Sequence, residues 1–203
     1  MVAIIDYGMG NVASVQKALN FLNVKSIITS DSSIIKKAEK ILLPGVGSFA
    51  QGMENLRKGE LDKILTEEII EKEKKFLGIC LGMQLIMESG SEPLDCEGLG
   101  WIKGKVVKFQ DESLNIPHMG WNDIKVYNNT YYKNCISKDF YFIHSYHVVP
   151  DNAKDIAATV DYGFEVVASV QSDNIFATQF HPEKSQDAGL SVLKAFFNQD
   201  AES

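Results

Sequence analysis

Residues 76–87 have the sequence FLGICLGMQLIM, in which Cys80 stands between Gly78 and Gly82. The apolar residues before the cysteine predict a short buried strand, and the run 83–87 predicts a helix. Glycines on both sides permit the sharp strand-to-helix turn that exposes a nucleophile above a sheet. Unpaired N–H groups at the start of that helix favour a thiolate. We interpret Cys80 as a nucleophile, although a free cysteine is more commonly a small buried hydrophobe.

The first half of the chain alternates short apolar runs with amphipathic stretches, as βα units on a parallel sheet do. Its predicted elements are strands at 2–6, from 27, at 41–43 and at 76–79, with helices at 12–22 and 52–74. The second half favours antiparallel strands at 106–107, 124–126, 141–143, 166–170 and 175–180, closed by a helix at 190–197. The pattern predicts an α/β fold with a mostly parallel central sheet flanked by helices.

Composition narrows the class of protein. The chain has 203 residues, of which 45% are hydrophobic and 23% charged, so we expect one domain over 1–203. A net charge of -7 argues against nucleic acid as a partner, and no apolar run approaches the length of a membrane span. Cys80, Cys96 and Cys135 fit neither disulfide nor zinc spacings, which favours a cytoplasmic protein without a metal site.

A nucleophilic cysteine needs a base, and the base needs an orienting group. His181 follows an apolar run and is succeeded by Pro182 and Glu183, so the imidazole and the carboxylate would project together from the end of a strand. We expect His181 to take the thiol proton and Glu183 to set its tautomer. The other histidines are expected to serve packing or hydrogen bonding; they are His118, placed in a loop, and His144 and His147.

A second glycine-rich loop, Pro44-Gly45-Val46-Gly47, ends the predicted strand at 41–43. Proline and glycine allow backbone conformations that other residues avoid, so the loop can turn N–H groups toward a developing negative charge. Considered alone, the loop is better explained as an ordinary glycine turn.

Two motifs resemble the signature of class I, or triad, glutamine amidotransferases: Gly78-Ile79-Cys80-Leu81-Gly82-Met83-Gln84 and Phe180-His181-Pro182-Glu183. Four more occur in the order expected of the glutaminase subunits of imidazole glycerol phosphate synthases: Ile5-Asp6-Tyr7-Gly8-Met9-Gly10-Asn11, Leu43-Pro44-Gly45-Val46-Gly47-Ser48-Phe49, Pro117-His118-Met119-Gly120-Trp121-Asn122 and His144-Ser145-Tyr146. The resemblance extends from Ile4 to about Ser185. Residues 123–138 match no motif of that family.

The resemblance implies a flavodoxin-like amidotransferase domain and a role for each matching residue. It implies a triad of Cys80, His181 and Glu183, and an oxyanion hole from Val46 or Gly47 with Leu81. Residues that would hold the ends of the glutamine substrate are Gln84, Glu92, Ser145 and Tyr146. Residues at the rim of the cleft that would meet a partner are Asn11, Met119, Trp121 and Lys184.

The implied reaction releases ammonia from glutamine through a thioester on Cys80 and needs no cofactor. The chain has no phosphate-binding P-loop and no room for another domain, so the ammonia acceptor must lie on another protein. The resemblance implies that this partner is a (β/α)8-barrel cyclase, which makes imidazole glycerol phosphate and an aminoimidazole carboxamide ribotide. Paralogous pairs that aminate bacterial surface sugars share these motifs and remain an alternative.

Other classes of protein compete with this interpretation. Gly8-Met9-Gly10-Asn11-Val12-Ala13 fits a dinucleotide fingerprint, and Asp31 follows it at about the sequence spacing of the acidic residue that contacts the ribose. That alternative leaves Cys80, His181 and Glu183 unexplained. The His-x-Glu of zinc deaminases is also present, but no cysteine pair follows it. The remaining alternative is a binding module with an inert triad.

Overall fold

The computed structural model describes residues 1–110, 113–135 and 138–198. Its strands in chain order are β1 Val2–Ile5, β2 Ser26–Thr29, β3 Lys40–Gly45, β4 Lys75–Cys80, β5 Met87–Gly90, β6 Cys96–Glu97, β7 Ile102–Lys108, β8 His118–Val126, β9 Asp139–His144, β10 Tyr146–Pro150, β11 Ile156–Asp161, β12 Glu165–Ser172 and β13 Ile175–Thr178. Its helices are α1 Val12–Phe21, α2 Ser32–Lys37, α3 Phe49–Lys58, α4 Leu61–Thr66, α5 Leu81–Leu85 and α6 Gln186–Asn198.

Within the described ranges the strands form two sheets. The larger has nine strands in the order β2-β1-β3-β4-β13-β12-β11-β8-β9. Its first five strands run parallel, and the remaining four join antiparallel. The smaller sheet has the order β10-β7-β5-β6. The predicted α/β fold, parallel in the first half and with antiparallel strands in the second, is confirmed.

The parallel strands are buried on both faces, which explains why they are continuous apolar runs rather than alternating ones. Along β1, Val2 and Ile4 enter one core, with Leu19 of α1 and Leu193 of α6. The intervening residues enter the opposite core, with side chains of α3, α4 and α5. Helices therefore cover both faces of the sheet, and the carboxyl ends of its strands are left open for a site.

The predicted helix at 52–74 is wrong as a single element. Helix α3 ends at Lys58, with Gly59 as its C-cap, and Glu60 adopts a left-handed φ of 52° before α4 begins. The last turn, Glu67–Glu71, is a π-helix in which buried Glu68 is ion-paired with Lys72 at 2.6 Å. The apolar spacing persisted across these breaks because all three segments pack on the same core.

Other boundaries also differ from the predictions. Met87, assigned to a helix, begins β5, and His118, assigned to a loop, begins β8. Helix α6 begins at Gln186 rather than at 190, and β13 ends at Thr178 rather than at 180. Helix α2 and the smaller sheet were not predicted. Each of these elements is short or carries polar residues, so periodicity alone did not separate it from loops.

Candidate active site

Cys80 lies at the carboxyl end of β4, in the middle of the main sheet, where the chain turns into α5. Its φ of 54° and ψ of −108° fall outside the regions that non-glycine residues normally occupy. Such strain is typical of a nucleophile elbow, in which a sharp turn presents the side chain above the sheet. The predicted strand–cysteine–helix arrangement is therefore present.

The two glycines beside Cys80 allow the elbow to pack closely. A Cβ atom on Gly82 would collide with the carbonyl oxygen of Leu43 on β3. A Cβ on Gly78 would lie 2.8 Å from the carbonyl oxygen of Gly82. Since both neighbours are backbone atoms, neither contact can be relieved by a side-chain rotation, and larger residues would move the elbow away from β3.

His181 and Glu183 lie beside Cys80, on the turn that follows β13. His181 caps a short 3-10 turn, Pro182–Lys184, which brings Glu183 back toward the imidazole. Nδ1 of His181 lies 2.9 Å from Oε1 of Glu183, and the two side chains are only 3% and 1% exposed. This contact places the proton on Nδ1 when the imidazole is neutral, leaving Nε2 as the basic atom on the side of Cys80.

The environment of His181 favours the imidazolium. Burial lowers the pKa of His181, but the charge and hydrogen-bonding contact of Cys80, together with the Glu183 carboxylate, outweigh burial and raise this pKa to about 10. A protonated imidazole next to a cysteine can stabilise a thiolate and supply a proton to a leaving group. The arrangement is suited to nucleophilic catalysis at Cys80.

Cys80 and His181 open into a cleft of about 250 Å³. This volume is below the range usual for drug-sized ligands, so it suits an amino acid better than a dinucleotide. The cleft is also lined by eight other residues expected at the site or its rim: Val46, Gly47, Leu81, Gln84, Glu92, Ser145, Tyr146 and Lys184. Ile143 and His144 line it as well and were not expected there.

The loop after β3 forms one wall of the cleft. Gly47 has a φ of +108°, which L side chains rarely adopt, and Val46 is 42% exposed. Behind the loop, Tyr7 is buried with its hydroxyl unpartnered. Burial and the charge of Cys80 raise the pKa of Tyr7, so it stays a neutral phenol. The wall therefore combines a backbone turn that requires glycine with a buried aromatic ring behind it.

Comparison with known families identifies the class of protein to which this site belongs. The family model of "Glutamine amidotransferase class-I" matches residues 3–199. The chain belongs to the class I glutamine amidotransferase family. It is 47% identical over 201 residues to the "Imidazole glycerol phosphate synthase subunit HisH 1" of Campylobacter jejuni, covering 97% of this chain and 98% of that relative. It is 44% identical over 204 residues to the HisH subunit of Geobacter sulfurreducens, covering 96% and 97%.

Solved structures share the fold of this amidotransferase at low sequence identity. A "glutamine amidotransferase" superposes with a TM-score of 0.78 at 16% identity over the whole of both chains. The PurLQS structure from Thermotoga maritima has a TM-score of 0.68 at 23% identity, covering 98% of this chain and 97% of that one. These similarities show that this chain has the same overall fold as those two structures.

Of the four residues expected at the rim, Lys184 lines the cleft, whereas Asn11, Met119 and Trp121 lie outside its lining. Met119 and Trp121 are 63% and 44% exposed on β8. Lys184 Nζ lies 5.8 Å from the ring centroid of Tyr141, whose ring is 6.1 Å from that of Trp121. Asn11 caps α1, which packs against the turn holding Lys184. The Tyr141 ring therefore lies near both Lys184 and Trp121. The sequence analysis gave Tyr141 no role in the site.

The segment that resembled a dinucleotide fingerprint has structural contacts in the amidotransferase. Gly10 lies against the carbonyl of Pro44, where a Cβ would be 3.2 Å away. The Asp31 carboxylate accepts a hydrogen bond of 2.7 Å from the backbone N–H of Ser33 and caps α2. Both features support the fold. Among the helices of the described ranges, none combines the length and apolar character needed to cross a bilayer.

Sequence reasoning missed Gln179, which lies directly behind the sulfur. Its Nε2 is 3.6 Å from Cys80 Sγ, and the residue is fully buried. The one available signal was its position, two residues before His181. A glutamine at the end of an apolar strand gives no indication of which group its amide faces, because that depends on strands distant in sequence.

Proposed function

We propose that the chain is the glutaminase subunit of an imidazole glycerol phosphate synthase. It hydrolyses glutamine to glutamate and ammonia and passes the ammonia to a cyclase partner in histidine biosynthesis. Support comes from relatives of that name, 43–47% identical over nearly the whole chain. The observation that carries the chemistry is the strained Cys80 elbow beside the His181–Glu183 pair, inside a cleft of amino-acid size.

Catalysis begins when the Cys80 thiolate attacks the side-chain amide carbon of glutamine. Negative charge on the amide oxygen is stabilised by the N–H of Leu81 and an N–H from Val46 or Gly47. His181 donates its proton to the amide nitrogen, so ammonia leaves and a thioester remains. His181 then removes a proton from water, which attacks the thioester and releases glutamate and Cys80. Glu183 orients the imidazole throughout.

Four further cleft residues hold the far end of the substrate. Glu92 is a carboxylate and therefore attracts the α-ammonium group rather than the α-carboxylate. Burial raises the pKa of Glu92, and an arriving ammonium would offset that effect. Ser145, Tyr146 and Gln84 also line the cleft and supply polar groups for the remaining contacts.

The ammonia acceptor belongs to the partner, a (β/α)8-barrel cyclase that binds the rim defined by Asn11, Met119, Trp121 and Lys184. Exposed methionine and tryptophan are typical of interfaces, and the latter commonly anchors them. The chain acts as a single amidotransferase domain in the cytoplasm, without a cofactor.

The deciding experiment separates ammonia production from ammonia use. In the complex with the cyclase, Cys80→Ala should abolish glutamine-dependent synthesis and leave turnover with ammonium salt at high pH unchanged. Cys96→Ala is the matched control, because Cys96 lies outside the cleft, and it should retain both activities. Loss of ammonia-dependent turnover in Cys80→Ala would show that this chain takes part in the second reaction. A wild-type complex inactive on the imidazole precursor would refute the proposed pathway.

A further inference from the structure

Buried hydrogen bonds continue behind Cys80, through Gln84 and the Tyr146 backbone, to residues that the proposed reaction does not use. Gln179 Nε2 approaches the sulfur at 3.6 Å, and Gln179 Oε1 accepts a hydrogen bond of 3.1 Å from Gln84 Nε2. The same Gln84 nitrogen donates to the backbone carbonyl of Tyr146 at 3.1 Å. Gln84 and Gln179 are 4% and 0% exposed, so these contacts are shielded from water.

From the Tyr146 carbonyl the chain of hydrogen bonds continues through two histidines. His144 Nδ1 lies 2.8 Å from this carbonyl, and His144 Nε2 lies 2.9 Å from His118 Nδ1. His118 Nε2 is 2.6 Å from Nδ2 of Asn122, which is half-buried. We call the set Asn122, His118, His144, Gln84 and Gln179, joined through the Tyr146 carbonyl, the polar chain.

One backbone group determines the direction of every bond in the polar chain. A carbonyl oxygen only accepts, so Gln84 must present its amide nitrogen to Tyr146, and His144 must carry its proton on Nδ1. His144 Nε2 is then an acceptor, which requires a proton on His118 Nδ1 and makes His118 Nε2 the acceptor from Asn122. On the other side, Gln84 donates to Gln179 Oε1. The amide nitrogen of Gln179 is thereby left facing Cys80.

Building on the proposed glutaminase reaction, we infer that Gln179 is a positioning residue for Cys80, and that the polar chain holds its N–H toward the sulfur. The carbonyl of Ile143 also lies 3.9 Å from Sγ, but it can accept only from a thiol. A Gln179 N–H continues to donate when the sulfur becomes a thiolate and is then charge-assisted. Gln179 therefore holds the nucleophile in place in its reactive form.

The polar chain ends on the strand that carries the exposed rim. Along β8 the side chains alternate, so His118 and Asn122 face inward while Met119 and Trp121 are exposed. His118 is held between the rings of Phe142 and Tyr162, with centroid distances of 4.7 Å and 3.9 Å. A shift of β8 would therefore move a member of the polar chain as well as the rim.

The test treats the full chain with iodoacetamide. The alkylation rate of Cys80 by this small neutral electrophile measures the reactivity of the sulfur without glutamine or a partner. Gln179→Met removes the N–H with little change in length. The rate constant for alkylation of Cys80 should fall about 10- to 100-fold, as expected for losing a hydrogen bond to a charged group. Gln171→Met, a similar change on β12, should react like the unsubstituted chain. Cys96 serves as an internal reference in the mass spectrum.

His118→Phe tests the rest of the polar chain, since the new ring can keep the stacking and makes no hydrogen bonds. Its alkylation rate should lie between those of Gln179→Met and Gln171→Met. An unchanged rate in Gln179→Met would overturn the role of Gln179, and an unchanged rate in His118→Phe would overturn that of the polar chain.

A measurement on Cys80→Ala covers the case in which Gln179→Met does not fold. With side-chain amides of glutamine labelled by ¹⁵N, the resonance of one buried amide should move when the sulfur is removed, and no movement would refute the contact. Both readouts are independent of glutaminase activity. An inactive complex would therefore count against the proposed function and leave the inference about Gln179 standing.

Discussion

His181 and Glu183 have unequal contacts with the reacting atoms. In the proposed reaction His181 exchanges protons with the sulfur and the leaving nitrogen, whereas Glu183 acts only through its 2.9 Å contact with Nδ1 of that imidazole. General acid–base catalysis contributes about 10²–10⁴-fold. We expect His181→Asn to lower kcat for glutamine by that amount and Glu183→Gln to lower it less. Steady-state glutamine hydrolysis in the complex measures both, and ammonia-dependent turnover is the control. Equal, small losses would remove His181 from the role of base.

His118 makes the stability of the protein sensitive to acid. Burial lowers the pKa of His118 to about 4, below the ordinary value near 6.5 that applies in the unfolded chain. The unfolded state therefore takes up a proton first. The contribution of neutral His118 to the free energy of unfolding is complete above pH 6.5. It is lost as the pH falls toward the pKa of His118 in the folded state.

The corresponding prediction compares the unsubstituted chain with His118→Phe. Between pH 7.5 and pH 5, the free energy of unfolding of the unsubstituted chain should fall by on the order of 2 kcal/mol more than that of the variant. Urea unfolding followed by circular dichroism measures both curves. If the two proteins lost stability in parallel over this range, His118 would not be a neutral buried histidine.

At the scale of elements, the loop after β3 is the part of the site whose conformation depends most on glycine. Gly47 has a φ of +108°, and an added Cβ would lie 2.6 Å from the terminal carbon of Met9. The Met9 side chain can rotate away, but alanine is strained at this φ, so Gly47→Ala should displace the peptide that we propose supplies an oxyanion donor. Loss of one such donor lowers kcat by about 10²–10³-fold.

Gly100→Ala is a matched control for this loop. Gly100 also has a positive φ, +68°, but no atom lies within 4 Å of an added Cβ, so backbone strain is introduced away from the cleft. Glutamine hydrolysis in the complex should be affected far less by this change than by Gly47→Ala. A normal kcat for Gly47→Ala would mean that this glycine is not needed for oxyanion stabilisation.

At the scale of the whole molecule, Lys184 belongs both to the cleft and to the rim that we propose binds the partner, so partner binding can control catalysis. We expect the isolated chain to hydrolyse glutamine very slowly. The cyclase with its nucleotide ligand should raise kcat far more than it lowers KM, because an oxyanion donor turns inward when the partner binds. Ammonia released without an acceptor would be protonated and lost as a nucleophile, which gives a chemical reason for this control.

Steady-state kinetics of the chain alone, with the cyclase, and with the cyclase plus ligand measure this coupling. Trp121→Ala, which removes the largest exposed ring of the rim, should weaken cyclase binding and with it the activation. Full glutaminase kcat from the isolated chain would contradict the switch and indicate a free-standing glutaminase.

The sequence by itself determined the features that depend on local chain geometry. The strand, elbow and helix around Cys80 follow from two glycines between apolar runs, and the proximity of His181 to Glu183 follows from a spacing of two residues. The parallel arrangement of the first half follows from alternating apolar and amphipathic segments. In each case the information lies within a few residues of the feature it predicts.

Only the tertiary structure decided which distant groups meet. The break at Gly59 and Glu60 was hidden because three helical segments share one core. In the smaller sheet only β7 contains a predicted strand, and its other strands, β5, β6 and β10, are short. Gln179 faces Cys80 because β13 pairs with β4. His118 bonds to His144 because β8 pairs with β9 in a register that places the two residues opposite each other. A buried amide or imidazole takes its orientation from the groups packed against it, and those groups come from distant parts of the chain.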